Sequence, residues 1–142
     1  MRILFVCLGN ICRSPAAEGV MRHLAPELKL DSAGTGDWHV GDAPYGPMQE
    51  AACARGVDLS GLRARQFVAA DFDRFDLIVA MDRQNKADIE RLRPMGNQSP
   101  VRTMADLDIP DPYYTRDFDG ALEKINAAAR DLLAQLFGAS GN

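Results

Sequence analysis

The 142-residue chain reads as an open, mostly parallel α/β sheet with helices on both faces, a single domain over residues 1–142. Three observations predict this. Apolar runs of strand length alternate with segments of helical periodicity, the pattern of repeated strand–helix units. The runs at residues 3–6 (Ile-Leu-Phe-Val) and 77–81 (Leu-Ile-Val-Ala-Met) are apolar throughout, as parallel strands buried on both faces are. The length also suits one core, at ~100–200 residues per domain.

The elements follow in order. After the first strand, Ser14-Pro15 supplies a cap and a first-turn proline for a helix carrying Ala16, Val20 and Leu24 at helical spacing. Leu28, Leu30 and Ser32 alternate with polar residues, a second strand closing at Gly34. Residues 44–55 read as a helix stopped by Gly56, a residue type that tolerates a left-handed terminus. Residues 77–81 form the third strand, and Asp82 caps a helix holding Ile89 and Leu92 until Pro94. Residues 101–104 make a shorter strand. Leu122, Ile125, Ala129, Leu132 and Leu136 recur at steps of three and four, a long amphipathic helix ended by Gly138.

Composition narrows the function classes. Apolar residues at 46% and charged residues at 25% exclude a disordered or fibrous chain. Sixteen basic against 20 acidic side chains, a net charge of −4, argue against a general nucleic-acid or anionic-membrane binder. The leading apolar run falls well short of the ~20 residues that span a bilayer, and no small-residue cleavage pattern follows it. Three cysteines are too few, and odd in number, for a disulfide framework. A soluble, cytoplasmic, thiol-bearing protein is expected.

In open α/β sheets ligands bind beyond the carboxyl ends of the strands. There the chain reads Cys7-Leu8-Gly9-Asn10-Ile11-Cys12-Arg13-Ser14, joining the first strand to the first helix. Backbone N–H groups curled at a helix start bind a phosphate dianion. Gly9 and Asn10 are the types best able to take the positive φ such a nest needs. Arg13 adds a planar fork for two phosphate oxygens. A free thiol with pKa ~8.5 is only about 3% thiolate at pH 7, and a positive environment lowers that pKa to ~3.5–7.5. Full ionisation of Cys7 thus raises the nucleophile population roughly 30-fold. A Ser14 hydroxyl reinforces it by donating to the thiolate. The loop also reads more blandly, as a strand-end cysteine packed as a small hydrophobe. No Gly-Lys-Ser/Thr follows, which excludes a Walker-type nucleotide loop.

Asp111-Pro112-Tyr113-Tyr114 follows the last strand, with Pro110 ahead of it. Prolines on both sides stiffen the backbone carrying Asp111, as a general acid requires. The competing reading is an ordinary Asp-Pro turn. Tyr113, Tyr114 and Trp38 are candidates for the walls of a slot for an aromatic ring, or for plain rim packing. His23 and His39 lack paired ligand spacing, and the Cys7/Cys12 spacing is not a common zinc pattern, so no metal is expected. Cys53 reads as a structural residue within its helix. Cys12 is a redox candidate: a curled loop brings it near Cys7, where it can close a disulfide on an oxidised Cys7 or simply pack.

These residues resemble the low-molecular-weight protein tyrosine phosphatase family over essentially the whole chain. The likeness rests on the residues 6–15 segment Val-Cys-Leu-Gly-Asn-Ile-Cys-Arg-Ser-Pro, on Asp31-Ser32-Ala33-Gly34-Thr35, and on Trp38-His39-Val40-Gly41. Ala64-Arg65-Gln66 and Asp111-Pro112-Tyr113-Tyr114 complete it. The resemblance implies a sheet of four parallel strands, no cofactor and tyrosine-phosphorylated protein substrates. It implies Cys7 as nucleophile and Asp111 as acid, then base. Phosphate would lie on Arg13 and the N–H groups of Leu8, Gly9, Asn10, Ile11, Cys12 and Arg13. Asn10, Ser14 and Ser32 would support loop and thiolate, with Trp38, Tyr113 and Tyr114 at the rim.

Two departures stand out. The Ala64-Arg65-Gln66 anchor puts Leu62 where many relatives have a histidine that supports Asn10, leaving loop rigidity to Ser32 and Ser14. Pro44-Tyr45-Gly46-Pro47 replaces the frequent Pro-Asp-x-Arg, so helix entry and outer rim are expected to differ. An arsenate reductase on the same fold would need resolving cysteines beyond the loop, where only Cys53 stands. A noncatalytic phosphotyrosine-binding module would need neither an ionised nucleophile nor a proton donor.

Overall fold

The computed structural model describes residues 1–138. Four strands, β1 (Arg2–Cys7), β2 (Lys29–Gly34), β3 (Leu77–Ala80) and β4 (Val101–Thr103), form one all-parallel sheet in the order β2-β1-β3-β4. Six helices accompany them: α1 (Arg13–Leu24), α2 (Gly46–Cys53), α3 (Asp71–Arg74), α4 (Arg83–Glu90), α5 (Pro112–Thr115) and α6 (Phe118–Phe137).

Strand β1 is central because its side chains are apolar on both faces. Ile3, Phe5 and Cys7 point into a core shared with α1, α2 and α6, whereas Leu4 and Val6 join Phe72 of α3 and Ile89 of α4 on the other side. Helices therefore cover both faces. Helix α6 buries Ala121, Leu122, Ile125, Ala128, Ala129 and Leu132; of the five residues its periodicity singles out only Leu136, near its end, is no more than partly buried, and Gly138 follows at φ +86°. No helix among the described residues is long and apolar enough to cross a membrane.

Several local expectations are corrected. Ser14 does not cap α1: the helix begins at Arg13, Cys12 precedes it without a side-chain cap, and the Ser14 hydroxyl turns to Cys7. Helix α2 starts at Gly46 rather than 44, because Tyr45 is extended at φ −55°, ψ 133°. Helix α4 ends at Glu90, leaving Leu92 exposed in the turn beyond it. Asp82 does cap α4, accepting from Asn85 N–H at 2.7 Å. Asp111 is the cap of the short helix α5, accepting from Tyr113 N–H at 3.0 Å. Cys53 is exposed at the end of α2.

The order β2-β1-β3-β4 reverses direction between β1 and β3, and the crevice at such a reversal lies beyond the strands' carboxyl ends. Residues 8–12, Asp82 and Asp111 all leave the sheet at that end.

Candidate active site

The loop after β1 is anchored through its carbonyls. Cys7, Leu8 and Ile11 accept from the N–H groups of Thr35, Gly36 and Tyr45 at 2.9, 2.9 and 2.8 Å. Asn10 supplies the one left-handed residue of the loop, at φ +58°. Gly9 does not share that conformation, contrary to expectation; a Cβ there would sit 3.2 Å from the His39 ring. The glycine that the curl most needs is Gly34, on which a Cβ would lie 2.8 Å from the Leu8 carbonyl oxygen.

Asn10 is the hub beneath the loop. Its Nδ2 donates to Ser14 Oγ at 2.8 Å and to Ser32 Oγ at 3.0 Å, and its Oδ1 accepts from the Arg65 N–H at 3.0 Å. The Arg65 bond fixes which end of the amide is oxygen. Ser14, already accepting from Asn10, has its own proton free for Cys7 Sγ at 3.0 Å, closer than the Ala33 carbonyl at 3.4 Å. The Asn10 N–H approaches the same sulfur at 3.3 Å. Ser32 donates a hydrogen bond to buried Glu18 at 2.7 Å, and Glu18 is paired with Arg22.

Leu62 packs against the core, and the support for Asn10 comes from the Arg65 backbone instead. That backbone is held by the Arg65 side chain, bonded to Asp31 at 3.0 Å and to both oxygens of fully buried Asp71. Burial works against the guanidinium's charge; the hydrogen bond to Asp71 and the charges of Asp31 and Asp71 outweigh it, so its pKa is raised.

Arg13 is buried with its fork engaged. Nη1 donates to Asp82 at 2.7 Å and to the Ile109 carbonyl at 2.9 Å, and Nη2 reaches Asp111 at 3.4 Å. Nε is buried with no hydrogen-bond partner. Burial alone would lower this pKa, but the charge of Cys7, the bond to Asp82 and the charge of Asp111 raise it overall.

Above the loop lies a cleft of about 240 Å³ lined by Cys7, Leu8, Gly9, Ile11, Cys12, Trp38, His39, Asp111, Tyr113 and Tyr114. Of the residues expected to hold phosphate or border the slot, Cys7, Leu8, Gly9, Ile11, Cys12, Trp38, Asp111, Tyr113 and Tyr114 line it, whereas Asn10 and Arg13 are buried and do not. Trp38 and Tyr114 stand at the exposed rim, and Tyr113 meets Tyr114 edge-on with centroids 5.3 Å apart. Cys12 is buried and unbridged; burial first, then the charges of Cys7 and Asp111, push its pKa up to about 12 against the opposing pull of Arg13 and Arg116. Among the described residues no cluster of three His, Cys, Asp or Glu side chains can hold a metal ion.

Sequence reasoning missed His39 as a wall, Asp82 as the partner of Arg13, and Glu18 and Arg65 beneath Asn10. His39 had a usable signal, standing beside Trp38 in a recognised segment. Arg65 likewise stands in the quoted Ala64-Arg65-Gln66 segment, whereas Glu18 and Asp82 give no sign of these roles until the fold brings them in.

A family model described as low molecular weight phosphotyrosine protein phosphatase matches residues 2–139. The low molecular weight protein-tyrosine-phosphatase YfkJ of Bacillus subtilis is 40% identical over 147 residues, covering 94% of this chain and 94% of YfkJ. PtpA of Staphylococcus aureus, of the same description, is 35% identical over 92% of this chain and 90% of its own. The YfkJ crystal structure superposes with a TM-score of 0.90, over 96% of this chain and 94% of that one. A protein tyrosine phosphatase from Entamoeba histolytica, crystallised with Hepes in the active site, gives 0.88 at 34% identity, covering 96% of each chain.

Proposed function

The chain belongs to the low molecular weight phosphotyrosine protein phosphatase family, and on that premise we propose that it hydrolyses phosphotyrosine through a phosphocysteine at Cys7. Its activity is that of a protein-tyrosine phosphatase, and its substrates are phosphotyrosine proteins. The residue roles below are the proposal.

Cys7 Sγ attacks phosphorus, the S–P bond forms and the P–O bond to the tyrosyl oxygen breaks. Asp111 gives its proton to the departing phenolate, whose conjugate acid has pKa ~10 and which leaves poorly without one. Asp111, now a carboxylate, takes a proton from water; the new O–P bond forms, S–P breaks, and inorganic phosphate and the Cys7 thiolate are released.

One observation carries this reading: Arg13 Nε is a buried donor without a partner, on a guanidinium otherwise fixed in place. A buried unsatisfied donor costs ~1–3 kcal/mol, and a phosphoryl oxygen on the loop would satisfy it. The N–H groups of residues 8–13 are proposed to bind the other oxygens, since the carbonyls of Cys7, Leu8, Ile11 and Cys12 are turned to other N–H groups. Donors fixed in advance suit a transition state that spreads charge over three oxygens.

The sulfur's two donors, Ser14 Oγ and the Asn10 N–H, fit an anionic nucleophile. The cleft's 240 Å³ is below the ~300–1,000 Å³ of drug-sized pockets, which suits one aryl phosphate between Trp38, Tyr113 and Tyr114 with the rest of the protein substrate outside. Free thiols at Cys7, Cys12 and Cys53 fit a reducing cytoplasm.

The testing variant is Cys7→Ser. It is expected to keep its fold and bind phosphate, with turnover abolished because a hydroxyl is far less ionised than a thiol. Substantial hydrolysis by this variant would overturn the nucleophile.

A further inference from the structure

Tyr45 touches both halves of the site. Its backbone N–H donates to the Ile11 carbonyl at 2.8 Å, in the cysteine-bearing loop. Its ring packs against Tyr113 with centroids 5.2 Å apart, and its hydroxyl accepts from Arg116 Nη1 at 3.2 Å. This lies in the Pro44-Tyr45-Gly46-Pro47 segment, where the chain departs from the pattern it otherwise resembles.

Arg116 closes α5. Its N–H donates to the Pro112 carbonyl at 2.8 Å, and its backbone stands at φ +65°, ψ 11°, a left-handed conformation that ordinarily belongs to glycine or asparagine. A long side chain persists there only where its surroundings hold it. Here the guanidinium lies over the rings of Tyr45 and Phe118, at 5.3 and 5.2 Å, and Nη1 also reaches the Tyr113 carbonyl at 3.3 Å.

Helix α5 is a single turn with Asp111 capping its start and Arg116 following its end. The Asp111 carboxyl accepts from the Tyr113 N–H at 3.0 Å and from Arg13 at 3.4 Å; Arg116 holds the Tyr113 carbonyl, so fixing the end of this single turn steadies one of the two contacts that aim the carboxyl. We propose that Tyr45 and Arg116 are positioning residues for proton transfer by Asp111, a strap tying the acid-bearing turn to the nucleophile loop. The proposal rests on the reading of Asp111 as proton donor.

The test compares Arg116→Asn, Tyr45→Phe and Asp111→Asn by kcat/KM, which covers steps through phosphocysteine formation, for phenyl and 2,4-dinitrophenyl phosphate. Asparagine tolerates the left-handed backbone, and phenylalanine keeps the packed ring, so both strap variants should unfold at the wild-type midpoint. General acid catalysis contributes ~10²–10⁴-fold, and a loosely aimed acid should forfeit roughly tenfold of it for phenyl phosphate. The dinitrophenyl ester, which leaves without a proton, should be almost unaffected, and Tyr45→Phe should show the same selectivity with a smaller loss. Equal losses for both esters would mean that Arg116 only attracts the dianion, and no loss for either would mean that the strap is decorative; either result overturns the proposal. Asp111→Asn keeps the two failures apart. If it spares the dinitrophenyl ester while the strap variants do not discriminate, only the strap falls; if Asp111→Asn itself shows no dependence on the leaving group, the acid assignment falls, and the strap with it.

Discussion

Arg13 Nη1 lies 2.7 Å from Asp82 Oδ2, and this pair sets the plane of the guanidinium from the side of the sheet. Arg13 opens α1, the helix after β1, and Asp82 caps α4, the helix after β3, so the pair joins the starts of two helices that follow adjacent parallel strands. Asp82 bonds through its two oxygens to different partners: Oδ2 to Arg13 and Oδ1 to the Asn85 N–H at the start of α4.

Asp82→Asn preserves the cap and removes the charge, so its effect isolates the pair. Because Arg13 is buried, losing the partner charge should destabilise the fold by up to ~3 kcal/mol, with phosphate restoring more stability to the variant than to wild type. Urea unfolding with and without inorganic phosphate measures both. Arg13→Lys, which cannot reproduce a planar fork, should lose roughly 10²–10³ in kcat. A near-normal rate in that variant would place phosphate recognition elsewhere.

Asn10 combines a left-handed backbone with three side-chain hydrogen bonds, and two substitutions separate these contributions. Asn10→Gly accepts the backbone and lacks the amide; Asn10→Ala lacks the amide and strains the backbone by ~1–2 kcal/mol. Both should lose roughly 10²-fold in kcat, because a loop misplaced by about 1 Å loses its aim. Only the alanine variant should show the added stability loss. Full activity in Asn10→Gly would reduce the amide network to a structural detail.

The pKa of Cys12, pushed up to about 12, makes a kinetic prediction for peroxide treatment. Peroxide converts the Cys7 thiolate to a sulfenic acid; attack by Cys12 forms the disulfide and releases water. The attacking species is the Cys12 thiolate; burial, the largest cause of its raised pKa, persists when a neutral sulfenic acid replaces the Cys7 thiolate, so disulfide closure should accelerate with pH and be slow at neutrality. Cys12→Ser should retain much of the activity and recover poorly with reductant after a peroxide pulse. Equal recovery, with no Cys7–Cys12 peptide by mass spectrometry, would leave Cys12 as packing alone.

What was legible in the sequence was mostly local. Strands β1 and β3 declare themselves as unbroken apolar runs, α6 through its three-and-four spacing, and the cysteine loop through its place between a strand and a helix. Helices α3 and α5, of four residues each, are too short to leave a period. Of the two roles Ser14 suggests, helix cap from the Ser-Pro pair and donor to Cys7, only the second is seen, because the hydroxyl turns to the sulfur instead of capping. Beneath Asn10, Ser14 and Ser32 are legible through the resemblance, whereas the Arg65 N–H, 55 positions away, is a backbone group and leaves no trace in residue type. Asp82 was recognised as a cap from its neighbours, but its partner lies 69 positions back.

The central claim is that Cys7 carries the phosphoryl group. Rapid mixing of the wild-type enzyme with p-nitrophenyl phosphate, acid quenching within the first turnover and mass spectrometry of the digested protein test it most directly. The account predicts a burst of nitrophenol approaching one equivalent per active site, provided phosphoenzyme hydrolysis is the slower step, and a phosphate on the peptide containing Cys7, absent from Cys7→Ser. Turnover with phosphate trapped on another residue would contradict it.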